Sequence, residues 1–160
     1  MENCFFRIVR TESVESRLYS VAPTGRFHDT SSAGPTSYAC QTLESAWAEI
    51  RKYLPEADAV AFTVLVLECQ VSRMVDLTDG EVRLEWGITK DELVSRDHSA
   101  CQRLAQRLRK KKIPVVRTYS AADPPDGRTI VVFSECLKNK SQFRIKGKVP
   151  LVKLLPSALL

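Results

Sequence analysis

The segment TSYACQTLESAWAEI, residues 36–50, contains the transition from a short strand to the clearest helix of the chain. Its first residues favour a strand around Tyr38, and Thr42 is a residue type that commonly caps a helix N-terminus. Over residues 43–54 apolar side chains recur at helical spacing and form one buried stripe. Glu49 stands at the edge of that stripe, so its carboxylate can reach a cleft. This segment therefore predicts a strand–helix unit that carries an accessible carboxylate.

Further elements are predicted on both sides of this segment. Residues 4–9 are aromatic and β-branched and favour a first strand that carries Arg7 among apolar neighbours. Two short helical turns separated by Gly87 are predicted over residues 81–93, and a second strong helix over residues 99–112. The other predicted strands are a central one at 59–69 and further ones at 71–77, 115–119, 129–133 and 143–149. A turn is predicted at residues 123–127.

The composition is typical of one globular domain. The chain has 160 residues, of which 44% are hydrophobic, so we expect a single domain over residues 1–160. Its net charge of +5 favours anionic partners. The five cysteines include no CxxC pair, which argues against a disulfide framework or a zinc site.

The sequence shows no signal for export or membrane insertion. The opening residues, MENCFFRIVR, lack the long apolar stretch of a signal peptide. The longest apolar run, residues 59–67, has about half of the ~20 residues that a membrane helix requires. We therefore expect a cytoplasmic protein without a membrane partner.

Familiar catalytic signatures are missing from the sequence. It contains no GxGxxG, no phosphate loop, no GxSxG and no HExxH. With only His28 and His98 available and no Cys/His spacing, neither a metal site nor a Ser-His-Asp triad is expected. The polar, turn-rich loop at residues 23–36 is long enough to suggest a functional role.

Five short motifs follow one another along the chain: FFRIV, GRF, TSYACQTLESAWAEI, DLT and DHSACQRLA. In this order they resemble the RES domain, a family named for Arg, Glu and Ser positions. Its members resemble ADP-ribosyltransferase toxins in fold and degrade NAD, often as the toxin of a toxin–antitoxin pair. The resemblance covers about residues 5–133, and residues 134–160 are expected to form a C-terminal strand and tail. The expected fold class is α+β, with a mixed or antiparallel sheet core and flanking helices.

The resemblance implies roles for the matched residues, with cleavage of the bond between nicotinamide and ribose as the reaction. Glu49 would stabilise positive charge on the ribose and orient water or phosphate. Arg7 and Arg26 would bind phosphate groups, because a guanidinium can donate two parallel hydrogen bonds to one phosphate. Tyr38 would stack on the nicotinamide or the ribose. Ser99, at a helix start, would present its hydroxyl beside free backbone N–H groups. The catalytic set implied is Glu49, Arg7 and Ser99.

The matched motifs depart from the family pattern at two positions. His28 replaces the usual Asn after Gly25-Arg26-Phe27, and Thr24 stands where a glycine is often found. These two departures leave open the shape of the loop and the substrate of the enzyme. Ser120 competes with Ser99 as the family serine, and Ser99 is preferred. Besides Arg26 and Tyr38, the predicted substrate-binding residues are Phe27, His28 and His98.

Each of these residues also has a simpler interpretation. Glu49 would then be an exposed helix-edge residue, Arg26 part of a surface salt bridge, Tyr38 a core residue and Ser99 a plain helix cap. A salt bridge explains Arg7 less well, because a guanidinium buried in an apolar strand must be paired.

The resemblance also implies the reactants and partners. NAD+ would be the substrate, with inorganic phosphate or water as second reactant and no bound cofactor or metal. A small antitoxin protein would neutralise the enzyme. The enzyme would contact nucleic acid only indirectly, through that antitoxin. A homo-oligomer is compatible with the sequence. Two alternatives stay open: transfer of ADP-ribose to a protein, and a nucleic-acid-binding face formed by the basic runs at residues 103–112 and 138–148.

Overall fold

The computed structural model describes residues 3–51, 56–122 and 127–154. The strands are β1 (Cys4–Arg10), β2 (Thr36–Cys40), β3 (Phe62–Cys69), β4 (Met74–Asp76), β5 (Val115–Tyr119), β6 (Arg128–Phe133) and β7 (Phe143–Pro150). The α-helices are α1 (Leu43–Arg51), α2 (Gly80–Trp86), α3 (Lys90–Val94) and α4 (Ser99–Lys110). Short 3₁₀ turns lie at Thr11–Ser16, Glu56–Ala61, Ser134–Cys136, Lys140–Gln142 and Leu151–Lys153.

The seven described strands form one mixed sheet in the order β4-β5-β6-β2-β1-β3-β7. Only β4 and β5 run parallel, and the other neighbours are antiparallel. β1 pairs with β3 along its whole length, but with β2 at the single pair Phe6 and Cys40. The sheet therefore separates between β1 and β2. The expected α+β domain with a mixed sheet and flanking helices is confirmed.

The core lies on both faces of the sheet. Along β6, Val131 and Phe133 pack with α3 and α4, whereas Ile130 and Val132 point to the opposite face, as the two-residue period of a strand requires. The apolar stripe of α4 is buried over its whole length and consists of Cys101, Leu104, Ala105 and Leu108. A third cluster places Trp47 of α1 against β1 and β3.

The predicted elements are present, with shifted ends. The helix predicted over 43–54 is α1 as far as Arg51, and residues 52–55 lie outside the described residues. The strand predicted from residue 59 begins at Phe62, because Glu56–Ala61 forms a 3₁₀ turn. That strand is not central, since β7 pairs with its outer side. The strand predicted at 71–77 is shorter and forms β4.

The later part of the chain follows the predicted pattern more closely. The two helical turns expected over residues 81–93 are α2 and α3, separated at Gly87, whose φ of 66° is a left-handed conformation that favours glycine. The remaining predicted strands are β5, β6 and β7. The predicted turn at 123–127 falls mainly on residues that are not described. None of the helices described is long and apolar enough to cross a membrane.

An ion pair between a buried arginine and a partly exposed glutamate attaches the last turn of α4 to the sheet. Arg109, 8% exposed, donates to the Glu135 carboxylate and to the Thr36 hydroxyl. It also donates to the carbonyl oxygen of Gly34 at 3.3 Å, and its guanidinium carbon lies 4.3 Å from the centroid of the Phe133 ring. Arg109 is therefore not available to the basic face suggested for nucleic acid.

We expect the Arg109→Leu variant to lose about 2 kcal/mol or more of unfolding free energy, because Glu135 would lose its buried cationic partner. Urea unfolding measures this loss. The double variant Arg109→Leu/Glu135→Leu should recover part of it, and Lys110→Ala, exposed on the same helix, should change stability by less than about 0.5 kcal/mol. Wild-type stability in Arg109→Leu would show that the pair does not hold the helix.

Candidate active site

A cleft of about 440 Å³ is lined by residues from both sides of the opening between β1 and β2. β1 contributes one side, while β2, β5 and β6 contribute the other, and α1 and the loop around residue 25 complete the wall. The predicted site residues that line this cleft are Arg7, Arg26, Phe27, His28, Tyr38, Glu49 and His98. The fold thus brings residues from distant parts of the chain into one site.

Arg7 holds the two sides of this opening together. Its Nε donates to the carbonyl oxygen of Arg17, and its Nη1 donates to that of Tyr38 on β2, each at 2.9 Å. Where β1 and β2 stop pairing, the hydrogen bond to Tyr38 thus takes the place of a ladder hydrogen bond. Burial lowers the pKa of Arg7 from its ordinary value, although an arginine keeps its charge in proteins. Its remaining terminal nitrogen, Nη2, has no hydrogen-bond partner among the described residues and can serve an anion.

Residues 25–28 form a tight turn at the cleft wall, which we call the 25–28 turn. The N–H of Gly25 donates to the carbonyl oxygen of His28 at 2.9 Å. A Cβ at Gly25 would lie 2.4 Å from Cε1 of His28 and 3.0 Å from the hydroxyl oxygen of Tyr38, so a larger residue does not fit. Phe27 is fully buried and anchors the turn in the core beside α4.

A chain of hydrogen bonds joins this turn to Tyr38. The N–H of Phe27 donates to the Tyr38 hydroxyl at 2.9 Å, and Nδ1 of His28 lies 2.7 Å from the same oxygen. Nε2 of His28 lies 2.9 Å from the carbonyl oxygen of Ala22. Because a carbonyl only accepts, a neutral His28 carries its proton on Nε2 and accepts from Tyr38 at Nδ1. Burial raises the pKa of Tyr38 to about 12, so the phenol keeps the proton that it donates.

Arg26 lies at the tip of the turn. Its Nη1 donates to the carbonyl oxygen of Ser95, which follows α3 directly. Burial, and next the positive charge of Arg26, lower the pKa of His98, so His98 is mainly neutral at pH 7. The cleft wall here carries one fixed positive charge beside an uncharged imidazole.

Glu49 contacts a serine that follows β5. Its Oε1 accepts a hydrogen bond from the Ser120 hydroxyl at 3.2 Å, and Ser120 is only 1% exposed. The start of α1 is fixed as expected, since Thr42 accepts at its hydroxyl from the N–H of Ser45 at 3.2 Å. The helix thus places the Glu49 carboxylate in the cleft, and the buried hydroxyl orients it.

Ser99 is not brought to the cleft. It is exposed at the start of α4, where Oδ1 of Asp97 accepts from its N–H at 2.9 Å and from its hydroxyl at 2.6 Å. These donors are already satisfied, and the carboxylate would repel a phosphate. Ser99 is therefore not among the residues that line the cleft, and Ser120 rather than Ser99 is the serine that contacts Glu49.

Tyr119 is a cleft residue that the sequence did not single out. The cationic groups of Arg83, Lys90 and Arg128 lie 5.8, 4.8 and 4.6 Å from the centroid of its ring. They come from three separate segments, so no local charge run in the sequence reveals them. Within the described ranges, no group of His, Cys, Asp and Glu is arranged to hold a metal ion.

Comparison with known proteins gives consistent matches. The family model described as RES domain matches residues 5–151, which extends the expected range through β7. A relative named "Probable NAD(+) phosphorylase Rv3189", from Mycobacterium tuberculosis (strain ATCC 25618 / H37Rv), is 30% identical over 138 residues. The matched region covers 82% of this chain and 66% of that protein, so the chain spans about two thirds of its length.

A solved structure is also similar in fold. It is the M. tuberculosis MbcT–MbcA toxin–antitoxin complex, one chain of which matches with a TM-score of 0.72 at 16% sequence identity. The match covers 94% of this chain and 85% of that chain.

Replacing Arg7 by Ala should cost about 2 kcal/mol of unfolding free energy, because the carbonyl of Tyr38 on β2 and that of Arg17 outside the strands would lose a charged donor. Urea unfolding with a fluorescence readout measures the loss. The control is Arg10→Ala, at the exposed end of the same strand, which should cost less than about 1 kcal/mol. Equal losses in the two variants would contradict the bridging role of Arg7.

Gly25→Ala should lower the unfolding temperature by about 5 °C, because the added methyl group overlaps the His28 ring. Calorimetry checks this shift. In Gly80→Ala the added Cβ would lie 3.5 Å from Nη2 of Arg83, an ordinary contact, and this control should unfold near the wild-type temperature. A Gly25→Ala protein as stable as the wild type would mean that the turn rearranges freely.

Proposed function

The chain belongs to the RES domain family, and from that premise we propose that it degrades NAD+ by cleaving the bond between nicotinamide and ribose. The observation that carries this proposal is the pairing of Glu49 with the buried Ser120 hydroxyl, in one cleft with Arg7 and Arg26. A carboxylate and two guanidinium groups in one cleft suit a substrate that has a diphosphate and develops positive charge elsewhere. The cleft volume is within the usual range of small-molecule sites.

The carboxylate of Glu49 supports the chemical step. When the C–N bond breaks, nicotinamide leaves with its electron pair, and the ribose carbon becomes positively charged, as in glycoside cleavage. Ser120 holds Oε1 of Glu49, while Oε2 makes no hydrogen bond to any residue that the structure describes. Oε2 can therefore face the developing charge or orient the incoming nucleophile.

The guanidinium groups support binding of the diphosphate. Arg7 is fixed by two backbone carbonyls and Arg26 by one, so both present charge with little conformational freedom left to lose. The cations around the ring of Tyr119, itself a lining residue, add positive charge near the cleft. A dianionic linker between two nucleosides fits these groups better than a neutral sugar does.

The second reactant is inorganic phosphate in this proposal. Its support is the name of the M. tuberculosis relative, a probable NAD(+) phosphorylase. A phosphate oxygen would form the new bond to the ribose carbon, which yields nicotinamide and a phosphorylated ADP-ribose. With water in that place, the product is ADP-ribose.

We also propose a protein partner that controls this activity. The similar solved structure is that of a toxin–antitoxin complex, and this chain shares the fold of one chain of that complex. An antitoxin that covers the cleft would keep NAD+ out.

The test is incubation of the purified protein with NAD+, with and without phosphate, while nicotinamide release is followed and the ribose product is identified by mass. Glu49→Gln should lower kcat by about 100-fold or more, because the amide no longer stabilises positive charge. Glu44→Gln, exposed on the same helix, is the matched control and should keep wild-type rates.

The experiment tests the proposed function, the role of Glu49 and the type of reaction. Folded wild-type protein that releases no nicotinamide in either buffer refutes the proposed function. Wild-type rates in Glu49→Gln refute the role of that carboxylate. ADP-ribose found attached to a protein would show that the reaction is ADP-ribosyl transfer and not phosphorolysis.

A further inference from the structure

We propose that Gln102 is a positioning residue that holds the 25–28 turn and thereby fixes Arg26 for substrate binding. This inference rests on the proposed function. Gln102 belongs to the SACQ motif at the start of α4, in which the sequence pointed to the serine. The structure places the glutamine, and not the serine, against the cleft wall.

The side-chain amide of Gln102 reaches both ends of the turn. Its Nε2 donates to the carbonyl oxygen of Gly25 at 2.9 Å and to that of His28 at 3.3 Å. An amide nitrogen has two hydrogens, so it can serve both carbonyls at once. The reverse orientation of the amide would place its oxygen against two carbonyl oxygens, so the chemistry of the contact fixes its orientation.

The turn is held from outside by the contacts of Phe27 and His28 with Tyr38 and Ala22, and Gln102 adds the support of both carbonyls at its ends. Its own backbone contributes one hydrogen bond, from the N–H of Gly25 to the carbonyl oxygen of His28. α4, in contrast, is anchored by a fully buried apolar stripe, and Cys101 beside Gln102 is part of it. Gln102 therefore connects a rigid helix to an irregular loop.

The contacts of Gln102 with the turn fix the position of Arg26. Its backbone lies between the two carbonyls that Gln102 holds, and its guanidinium is fixed at the Ser95 carbonyl. With the backbone and the side chain both held, the guanidinium of Arg26 keeps one position in the cleft wall. Without Gln102 the carbonyls of Gly25 and His28 lose this donor, so substrate binding would have to fix the position of Arg26 between them, which weakens affinity.

The chemical step should depend much less on Gln102. Glu49 is placed by α1, and Ser120 follows β5, so neither is attached to the turn. Loss of Gln102 should thus raise KM and leave kcat nearly unchanged. A general loss of folded protein would lower kcat in proportion instead.

The kinetic experiment compares Gln102→Leu with Gln106→Leu under NAD+ turnover. Gln106 lies one helical turn further along α4, is exposed, and makes only a 3.4 Å contact with Asp29. We expect about a 10-fold higher KM with kcat within about 2-fold in Gln102→Leu, and wild-type constants in the control. In an Arg26→Ala background the same substitution should change KM by less than about 2-fold, because its effect passes through Arg26.

A second variant keeps the test decisive if Gln102→Leu folds poorly. Gln102→Glu has nearly the same shape, but its carboxylate opposes both carbonyls. At pH 8 it should raise KM at least as much as Gln102→Leu does. Its KM should approach the wild-type value, measured at the same pH, as acid protonates the carboxyl and restores a donor.

Nitrogen NMR of the imidazole rings tests the contact without turnover. The chain has two histidines, so their signals are few. At pH 8, His28 should show one tautomer, protonated at Nε2, in the wild type and in Gln106→Leu, and a changed signal in Gln102→Leu. If the wild type does not consume NAD+, the proposed function fails while this measurement still tests Gln102. Unchanged His28 signals, or an equal rise in KM with and without Arg26, would overturn the inference.

Discussion

The guanidinium of Arg7 lies where β1 and β2 part, and the cleft depends on that position. A sheet that opens between two strands leaves backbone carbonyls without ladder partners, and such groups must find other donors when they are removed from water. Arg7 supplies such a donor to the carbonyl of Tyr38 on β2, and its Nε donates to the carbonyl of Arg17, which lies outside the strands. The same side chain therefore permits the opening and gives it a positive charge.

The sequence could predict those parts of the fold that depend on residues close together along the chain. α1 follows from the apolar period after Thr42, and the break between α2 and α3 follows from Gly87. The start of β3 was predicted too early, since residues 59–61 carry the composition of a strand but form part of a 3₁₀ turn. The order of the strands depends on distant pairings, such as that of β7 with β3, which no local pattern encodes.

The same distinction applies to the site. Arg7, Arg26, Tyr38 and Glu49 could be named from the order of their motifs, and the fold brings them to one cleft. Ser120 could not be preferred from sequence, because its contact with Glu49 spans 71 positions. The substitution at His28 looked like a disturbance of the loop. The imidazole instead hydrogen bonds on both sides of its ring.

The single contact between β1 and β2 also bears on cooperativity. Four strands lie on one side of the opening and three on the other, and the described ladder joins them through Phe6 and Cys40 alone. A molecule bound in the cleft would contact both sides and so add a further connection between them. Because a ligand that binds only the folded state adds to its stability, the cooperativity with which the two parts of the sheet unfold should increase with ligand concentration.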